Sequence, residues 1–201
     1  LNLVHPDGGR VTMFGRDFYA DEPACKQQLG VVLGGVDFYP NKKLRSITNV
    51  TRTFYDRWDE NKYRHYLSLF ALDETKKVSQ LSSGMRVKYM LALALSHDAR
   101  LLILDEPTSG LDPVSRDELM ELFRGVVQSG ERSILFSTHI TSDLEKCASH
   151  ITMIKDGEIL RSDTCGGFLA HYRAQLGDAS LSLEDILVRV ERRSYDGKDF
   201  L

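Results

Sequence analysis

The stretch 101–112, Leu-Leu-Ile-Leu-Asp-Glu-Pro-Thr-Ser-Gly-Leu-Asp, decides the fold. Its four leading apolar residues predict a short strand that is buried on both faces, as in a parallel sheet. The run ends at two adjacent acids, Asp105 and Glu106. Because ligands of open α/β sheets bind at the carboxyl ends of the strands, we expect both carboxylates to lie in a site. Two carboxylates there suit a magnesium nucleotide, one for the metal and one for a water molecule.

The composition of the 201 residues is that of one globular domain with a sizeable core. Hydrophobic residues make up 42% and charged residues 27%, with a net charge of −3, which gives no support for nucleic acid as a partner. The longest apolar runs are far shorter than the about 18 residues that a spanning helix needs. Three cysteines without paired spacing favour reduced thiols over a disulfide framework or a zinc site.

The segment 42–97 has the pattern of helices. Ser46 is the predicted cap of a first helix whose inner face would consist of Ile47, Val50 and Phe54. Asp59 is the predicted cap of a second helix. A third helix begins near Ser83 and is apolar on nearly all sides, so we expect it to be buried.

Strand and helix patterns alternate in the rest of the chain. Asp112 followed by Pro113 predicts a helix start, an N-cap with proline at the first helical position. Further elements are predicted as strands at 10–14 and 29–33, a second buried strand at 133–137, a hairpin at Asp156-Gly157, and a tail helix capped by Ser182 within 178–201. This order predicts an α/β fold in one domain, with a core of 1–41 and 98–201 and a helical subdomain at 42–97.

Three motifs accompany the two acids. Residues 81–85 (Leu-Ser-Ser-Gly-Met) open the buried helix, residues 109–112 (Ser-Gly-Leu-Asp) follow the acids, and His139 follows the next strand. Together with 101–107, they resemble the ATP-binding subunit of an ABC transporter, where they are similar to the signature loop, the D-loop, the switch histidine and the Walker B motif. The resemblance covers nearly the whole chain, and 136–145 is most similar to bacterial export-type and drug-resistance subunits.

The resemblance implies an ABC ATPase fold, which is a P-loop NTPase-type sheet with flanking helices. It implies an ATP hydrolase in which two subunits, identical or different, sandwich ATP and Mg²⁺. It also implies a separate transmembrane permease subunit as partner and a cytoplasmic location on the inner face of the cell membrane. The transported substrate is not implied, since the permease would choose it.

The resemblance also implies roles for single residues. Asp105 would hold Mg²⁺ through water, Glu106 would activate or orient the attacking water, and His139 would contact the γ-phosphate. Each residue type also occurs at strand ends without such a role. The residues implied to contact ATP of the opposite subunit are Ser82, Ser83, Gly84, Met85 and Asp112.

Two of these loop residues differ from the usual LSGGQ pattern. Ser83 replaces the first glycine and Met85 replaces the glutamine. We expect lower activity or looser dimerisation, because Ser83 adds bulk and Met85 lacks an amide. Asp112 is both a helix cap and a D-loop residue, and the sequence does not separate the two roles.

The phosphate-binding motif G-x-x-x-x-G-K-[ST] does not occur in the 201 residues, whose Gly-Lys pair at Gly197-Lys198 is followed by Asp199. In the family this motif precedes the turn at 6–9, so we expect an N-terminally incomplete, truncated chain. We expect the missing strand and helix to expose the flanks of the 101–104 strand. Alone, the chain would bind MgATP poorly and hydrolyse almost none.

Other interpretations remain open. An evolved protein without the motif would be a non-catalytic regulatory or interaction protein with a degenerate ABC ATPase fold. A soluble ABC ATPase of translation or DNA repair is a third interpretation, which the single domain and the lack of heptads disfavour. A further departure is Gly34, which stands where the family usually has the Q-loop glutamine, with Asp37 close by.

Overall fold

The computed structural model describes residues 1–33 and 39–191, which fall into two compact units. The first unit is Leu1–Thr138 and the second is His139–Leu201. Gly34, Asp37 and the Gly197-Lys198 pair lie outside the described residues. The assignment of a single ABC ATPase domain, with its core, helical and tail parts, stays a prediction.

The first unit is built on a three-stranded parallel sheet. Its strands, in spatial order, are β3 (Leu29–Leu33), β4 (Leu101–Asp105) and β5 (Ser133–Ser137), and a small hairpin of β1 (Thr12–Met13) and β2 (Arg16–Asp17) precedes them. The predicted strand at 101–104 is therefore confirmed. The expectation that its flanks would be exposed is wrong, because β4 is the central strand and pairs with a neighbour on each side.

The two faces of this sheet differ in burial. Leu102 and Leu104 of β4 are buried, whereas Leu101 and Ile103 on the other face are only half-buried. In β5, Leu135 is 62% exposed. The prediction of a second buried strand at 133–137 is thus wrong, since an apolar triplet identifies a strand but not what covers its faces.

Five helices accompany this sheet: α1 (Glu22–Lys26), α2 (Leu44–Thr51), α3 (Glu60–Leu69), α4 (Ser83–Ser96) and α5 (Pro113–Val127), with short 3₁₀ turns at Arg52–Phe54 and Val78–Gln80. Helix α4 is largely buried, as predicted. Asp59 caps α3 by accepting hydrogen bonds from the N–H groups of Asn61 and Lys62, also as predicted.

The prediction for α2 is wrong at its start and for two of its three inner-face residues, whereas the third, Ile47, packs partly buried against the core. The helix begins after Lys43 rather than Ser46, and Val50 and Phe54 are 60% and 68% exposed. Its buried residues are Leu44 and Thr48, four positions apart on one face. The sequence pattern misled because a polar residue, Thr48, occupies the core position.

A buried hydrogen-bond network explains Thr48. Its Oγ1 lies 2.7 Å from the hydroxyl of Tyr63 on α3 and 2.9 Å from the hydroxyl of Tyr89 on α4. The Tyr89 hydroxyl also donates to the carbonyl oxygen of Leu44 at 3.0 Å. Burial raises the pKa of both tyrosines, so both hydroxyls stay protonated. The network thereby joins α2, α3 and α4.

Helix α4 packs against the sheet through Gly30 of β3. A Cβ placed on Gly30 would lie 2.5 Å from both the Cβ of Ala94 and the Cδ2 of Leu102. Only a residue without a side chain therefore fits at position 30, where α4 packs on β3 and β4. This contact fixes α4, and with it the loop at its N-terminus, to the sheet that carries Asp105.

The described part of the second unit, residues 139–191, contains an antiparallel hairpin and three helices. Its elements are α6 (Thr141–Cys147), β6 (His150–Lys155), β7 (Glu158–Thr164), α7 (Cys165–Leu176) and α8 (Leu183–Glu191). Asp156 and Gly157 both adopt positive φ in the predicted hairpin turn. The predicted tail helix is α8, and Ser182 caps it by accepting from the Asp185 N–H.

The core of the second unit lies between one face of the hairpin and α7 and α8, and its buried side chains include Ile151, Met153, Phe168, Tyr172 and Ile186.

Across residues 1–33 and 39–191, no helix is both long enough and apolar enough to cross a membrane.

We predict that Gly30→Ala destabilises the protein by about 1–3 kcal/mol, because the added methyl group overpacks the contact between α4 and β4. Urea denaturation gives the free energy of unfolding. Gly125→Ala is the matched control: nothing lies within 4 Å of its added Cβ. That change should stabilise helix α5, in which Gly125 is exposed, by up to about 1 kcal/mol. Equal stability of Gly30→Ala and the wild type would contradict the packing.

Candidate active site

The two acids lie where the central strand ends. Asp105 is the last residue of β4 and is exposed, and the half-buried Glu106 follows it. Asp105 is level with Leu33 of β3 and with Ser137 of β5 in the parallel register. The sheet thus presents both carboxylates at its carboxyl edge, the position at which open α/β sheets bind ligands.

Ser137 holds the two acids together. Its hydroxyl donates to Asp105 Oδ1 at 2.7 Å and accepts from the Glu106 N–H at 3.0 Å. Glu106 itself has a φ of 43°, in the left-handed region that residues other than glycine seldom adopt. Ser137 was not among the predicted site residues. It could have been suggested by its position as a polar residue at the end of the strand that follows the acids in the sequence.

The predicted D-loop residue Asp112 caps α5. Its Oδ1 accepts from the N–H groups of Val114 and Ser115, both at 3.0 Å, and its Oδ2 accepts from the Ser115 hydroxyl at 2.6 Å. The hydrogen bonds from Ser115 and Val114 lower the pKa of the Asp112 carboxyl. Its role as a cap is therefore confirmed, whereas its role toward ATP stays a prediction.

The predicted signature loop opens α4. The Ser82 hydroxyl accepts from the Met85 N–H at 3.2 Å and so caps this helix. Ser82 and Ser83 are exposed, Gly84 is buried, and Met85 packs partly buried against the core shared by α2, α3 and α4. The first helical turn therefore directs its N–H groups and positive dipole end outward, which suits a phosphate.

The signature loop and the D-loop lie side by side. A Cβ on Gly84 would be 3.5 Å from the Cβ of Ser115 and 3.8 Å from the Cδ2 of Leu111. One turn further along, Lys88 of α4 pairs with Glu118 of α5 at 2.5 Å. The starts of α4 and α5 thus form one continuous surface.

The predicted site residues therefore fall into two groups, and one residue, His139, belongs to neither group. Asp105 and Glu106 are joined through Ser137, and Ser82–Met85 adjoin the start of α5 that Asp112 caps. His139 is the first residue of the second unit, two positions after Ser137. Its contact with the γ-phosphate stays a prediction.

The exposed Asp105 carboxylate is a suitable ligand for a magnesium ion. Its Oδ1 accepts the Ser137 hydrogen bond, which leaves one carboxylate oxygen toward solvent. Across the described part of the chain, no cluster of three or more His, Cys, Asp or Glu residues could hold a metal. A single carboxylate fits Mg²⁺, which keeps several waters and takes phosphate oxygens as further ligands.

A parallel sheet that ends in two adjacent acids, with a buried and capped helix packed on it, is an α/β arrangement of the kind found in P-loop NTPases. The chain belongs to the ABC transporter family, whose model matches residues 1–109. The resemblance to ATP-binding subunits of ABC transporters is thereby confirmed.

Curated relatives include two with export or antibiotic-transport names. The bacitracin transport ATP-binding protein BcrA of Bacillus licheniformis is 32% identical over 162 residues, which cover 80% of this chain and 53% of the relative. The Nod factor export ATP-binding protein I of Burkholderia lata is also 32% identical over 162 residues, covering 78% and 53%. The chain spans about half the length of these curated relatives.

Solved structures share the fold at low sequence identity. An ATP-binding subunit of an ABC transporter aligns with a TM-score of 0.77 at 24% identity, covering 95% of this chain and 80% of that one. A dimeric post-hydrolysis state of the ATP-binding cassette MJ0796, bound to ADP and Pi, aligns with a TM-score of 0.67 at 20% identity, covering 81% and 75%. The predicted ABC ATPase fold is confirmed.

We predict that Asp112→Asn lowers stability at neutral pH and that the deficit narrows in acid. The pKa of the Asp112 carboxyl is lower in the folded protein than in the unfolded chain, where it is about 3.9. The ionised carboxylate therefore contributes its full stabilisation of the folded state above about pH 3.9. This stabilisation is lost as the pH falls through the lower, folded-state pKa. Urea denaturation at about pH 7 and pH 3 measures the difference.

Asp7→Asn is the control, since it removes an exposed carboxylate that caps no helix. A stability deficit of Asp112→Asn that stays the same at both pH values would show that the carboxylate charge contributes nothing to the cap.

Proposed function

We propose that this chain supplies the metal, water and signature-loop residues of the ATPase subunit of an ABC exporter, and that these 201 residues alone hydrolyse almost no MgATP. The observation that carries the proposal is the pair of acids, Asp105 and Glu106, fixed at the carboxyl end of the central strand. Because the chain belongs to the ABC transporter family, we infer that this geometry serves the hydrolysis of ATP.

The two carboxylates have different tasks in this proposal. Asp105, the more exposed of the two, binds the waters around Mg²⁺. Glu106 accepts a proton from the attacking water or orients it. His139 contacts the γ-phosphate with one ring nitrogen. Bound Mg²⁺ supplies charge neutralisation for the phosphates.

The signature loop acts on the ATP of a second ATP-binding subunit, identical or different. Ser82, Ser83 and Gly84 offer the N-terminal N–H groups of α4, a helix of 14 residues, to its phosphates. Support comes from the surface that this loop forms with the start of α5, since a dimer needs both loops on one face. Met85 packs partly against the helical core and supplies no amide, so we expect a weaker dimer contact.

The helical segment 42–97 contacts a separate transmembrane permease, and the chain lies on the cytoplasmic face of the cell membrane. Support comes from an apolar surface on this segment, where Val50 and Phe54 are exposed. Beside them lies a cavity of about 280 Å³. Six of its lining residues are Val31, Ile47, Tyr55, Met90, Leu93 and His97.

One wall of this cavity is aromatic. The rings of Tyr55 and His97 stack with centroids 3.6 Å apart. Burial lowers the pKa of His97 to about 4, so the imidazole is neutral at pH 7. This aromatic wall is therefore uncharged and suits an apolar side chain of the permease, while Arg86 also lines the cavity.

The test of catalysis uses the full-length gene product and its Glu106→Gln variant. We expect the substitution to lower the hydrolysis rate about 100-fold or more while ATP still binds, because the amide cannot accept the proton. Phosphate release and nucleotide binding are measured in parallel. The isolated 201 residues, which contain no G-x-x-x-x-G-K-[ST], should release phosphate no faster than buffer.

Glu131→Gln is the matched control for charge, because Glu131 is exposed and lies between α5 and β5. A full-length protein that ignores ATP and folds normally would favour the regulatory or interaction protein with a degenerate fold. Turnover by the isolated 201 residues at the rate of the full-length protein would contradict the proposed need for a phosphate-binding loop.

The permease contact is tested with Val50→Asp. A carboxylate in an apolar interface should weaken binding at least about tenfold, because it must lose its hydration there. Co-purification with the permease from detergent extracts is the measurement. Val188→Asp changes an equally accessible helical valine, 53% exposed, in the second unit. Equal losses for both variants would argue against the surface on α2.

A further inference from the structure

Ser137, the last residue of β5, links the two acids through its hydroxyl group. Ser137 is paired with Asp105 in the parallel register, so their side chains leave the sheet at the same level and on neighbouring strands. The Ser137 hydroxyl reaches Asp105 Oδ1 at 2.7 Å and the Glu106 backbone nitrogen at 3.0 Å. One hydroxyl therefore serves both carboxylate-bearing residues.

We propose that Ser137 is a positioning residue of the ATPase site, acting through Asp105 and Glu106. This inference rests on the proposed function. Ser137 sets the rotamer of the Asp105 carboxylate and the backbone direction of Glu106, and it need not contact nucleotide itself.

The direction of each hydrogen bond follows from the chemistry of the groups. The Glu106 N–H can only donate and the ionised Asp105 carboxylate can only accept. The hydroxyl proton of Ser137 must therefore point to Asp105 Oδ1, and its oxygen lone pair to the Glu106 N–H. Because one end is a carboxylate, this relay includes a charge-assisted bond, which is stronger than a neutral one.

Each of the two bonds has a distinct effect. The bond to Oδ1 limits rotation of the Asp105 side chain, so the other carboxylate oxygen keeps one direction. The bond from the Glu106 N–H anchors a residue with a φ of 43°, a conformation that persists only where its surroundings hold it. A side chain without an oxygen at position 137 could provide neither bond.

The experiment compares Ser137→Ala and Ser137→Thr with Ser133→Ala in the full-length gene product. Ser133 lies on the same strand and face as Ser137, pairs with Leu101 at the far end of β4 and is also exposed. NMR-detected hydrogen exchange reports each backbone amide separately. In Ser137→Ala, the Glu106 amide should exchange about five- to tenfold faster, the factor given by one hydrogen bond of ordinary net strength.

In the same variant, the amides of Leu104 and Phe136 should keep their rates. Ser137→Thr, which retains the hydroxyl, should restore the Glu106 rate, and Ser133→Ala should leave it unchanged. The hydrolysis rate should fall about tenfold in Ser137→Ala and recover in Ser137→Thr, with the protein still folded.

Unchanged exchange of the Glu106 amide in Ser137→Ala would overturn the inference. So would equal acceleration at Glu106, Leu104 and Phe136, because that result would mean that Ser137 only stabilises the strand. If the wild type does not hydrolyse ATP, the proposed function fails. The exchange data alone then decide whether Ser137 positions the two acids.

Discussion

The parallel register of β3, β4 and β5 is the constraint on which the rest of the first unit depends. It places Leu33, Asp105 and Ser137 at one level, so the central strand delivers its acids beside the hydroxyl of its neighbour. A shift of one residue would turn Ser137 to the other face of the sheet and break the contact with Asp105. Position along the strand, rather than proximity in sequence, therefore creates the site.

Packing transmits this constraint to the helices. Gly30 lets α4 approach β3 and β4 at van der Waals distance, and the Thr48 hydroxyl joins α4 to α2 and α3. The exposed surface of α2 and the signature loop at the start of α4 are thus parts of one hydrogen-bonded and packed body. In the proposed transporter, this body is where a signal from the permease would reach the loop that contacts ATP.

Local signals in the sequence predicted several elements correctly. The apolar run 101–104, the cap Asp112 with Pro113, the Asp156-Gly157 turn and the Ser182 cap each act within a few residues, so the chain itself carries the information. The candidate site residues also come from short-range patterns, acids at a strand end and a serine before a buried helix, and their roles toward ATP stay predictions.

Features that depend on three-dimensional neighbours could not be predicted from the sequence. The predicted inner face of α2 was wrong at Val50 and Phe54. The helix instead buries Thr48, whose hydrogen-bond partners Tyr63 and Tyr89 are 15 and 41 residues away in the sequence. The prediction that 133–137 is buried was wrong because a strand pattern does not reveal which face of the strand is covered. Ser137 was missed because a polar residue at a strand end does not by itself identify its partner, and the contact with Asp105 depends on the register between β4 and β5.

The most direct test of the central claim is a structure of the full-length Glu106→Gln variant with MgATP. We expect the γ-phosphate at the carboxyl ends of β4 and β5, with the metal on the side of Asp105 and with Ser137 still hydrogen-bonded to Asp105 Oδ1. Nucleotide bound elsewhere in the protein, with no density at those strand ends, would contradict the assignment of Asp105 and Glu106 to the ATPase site.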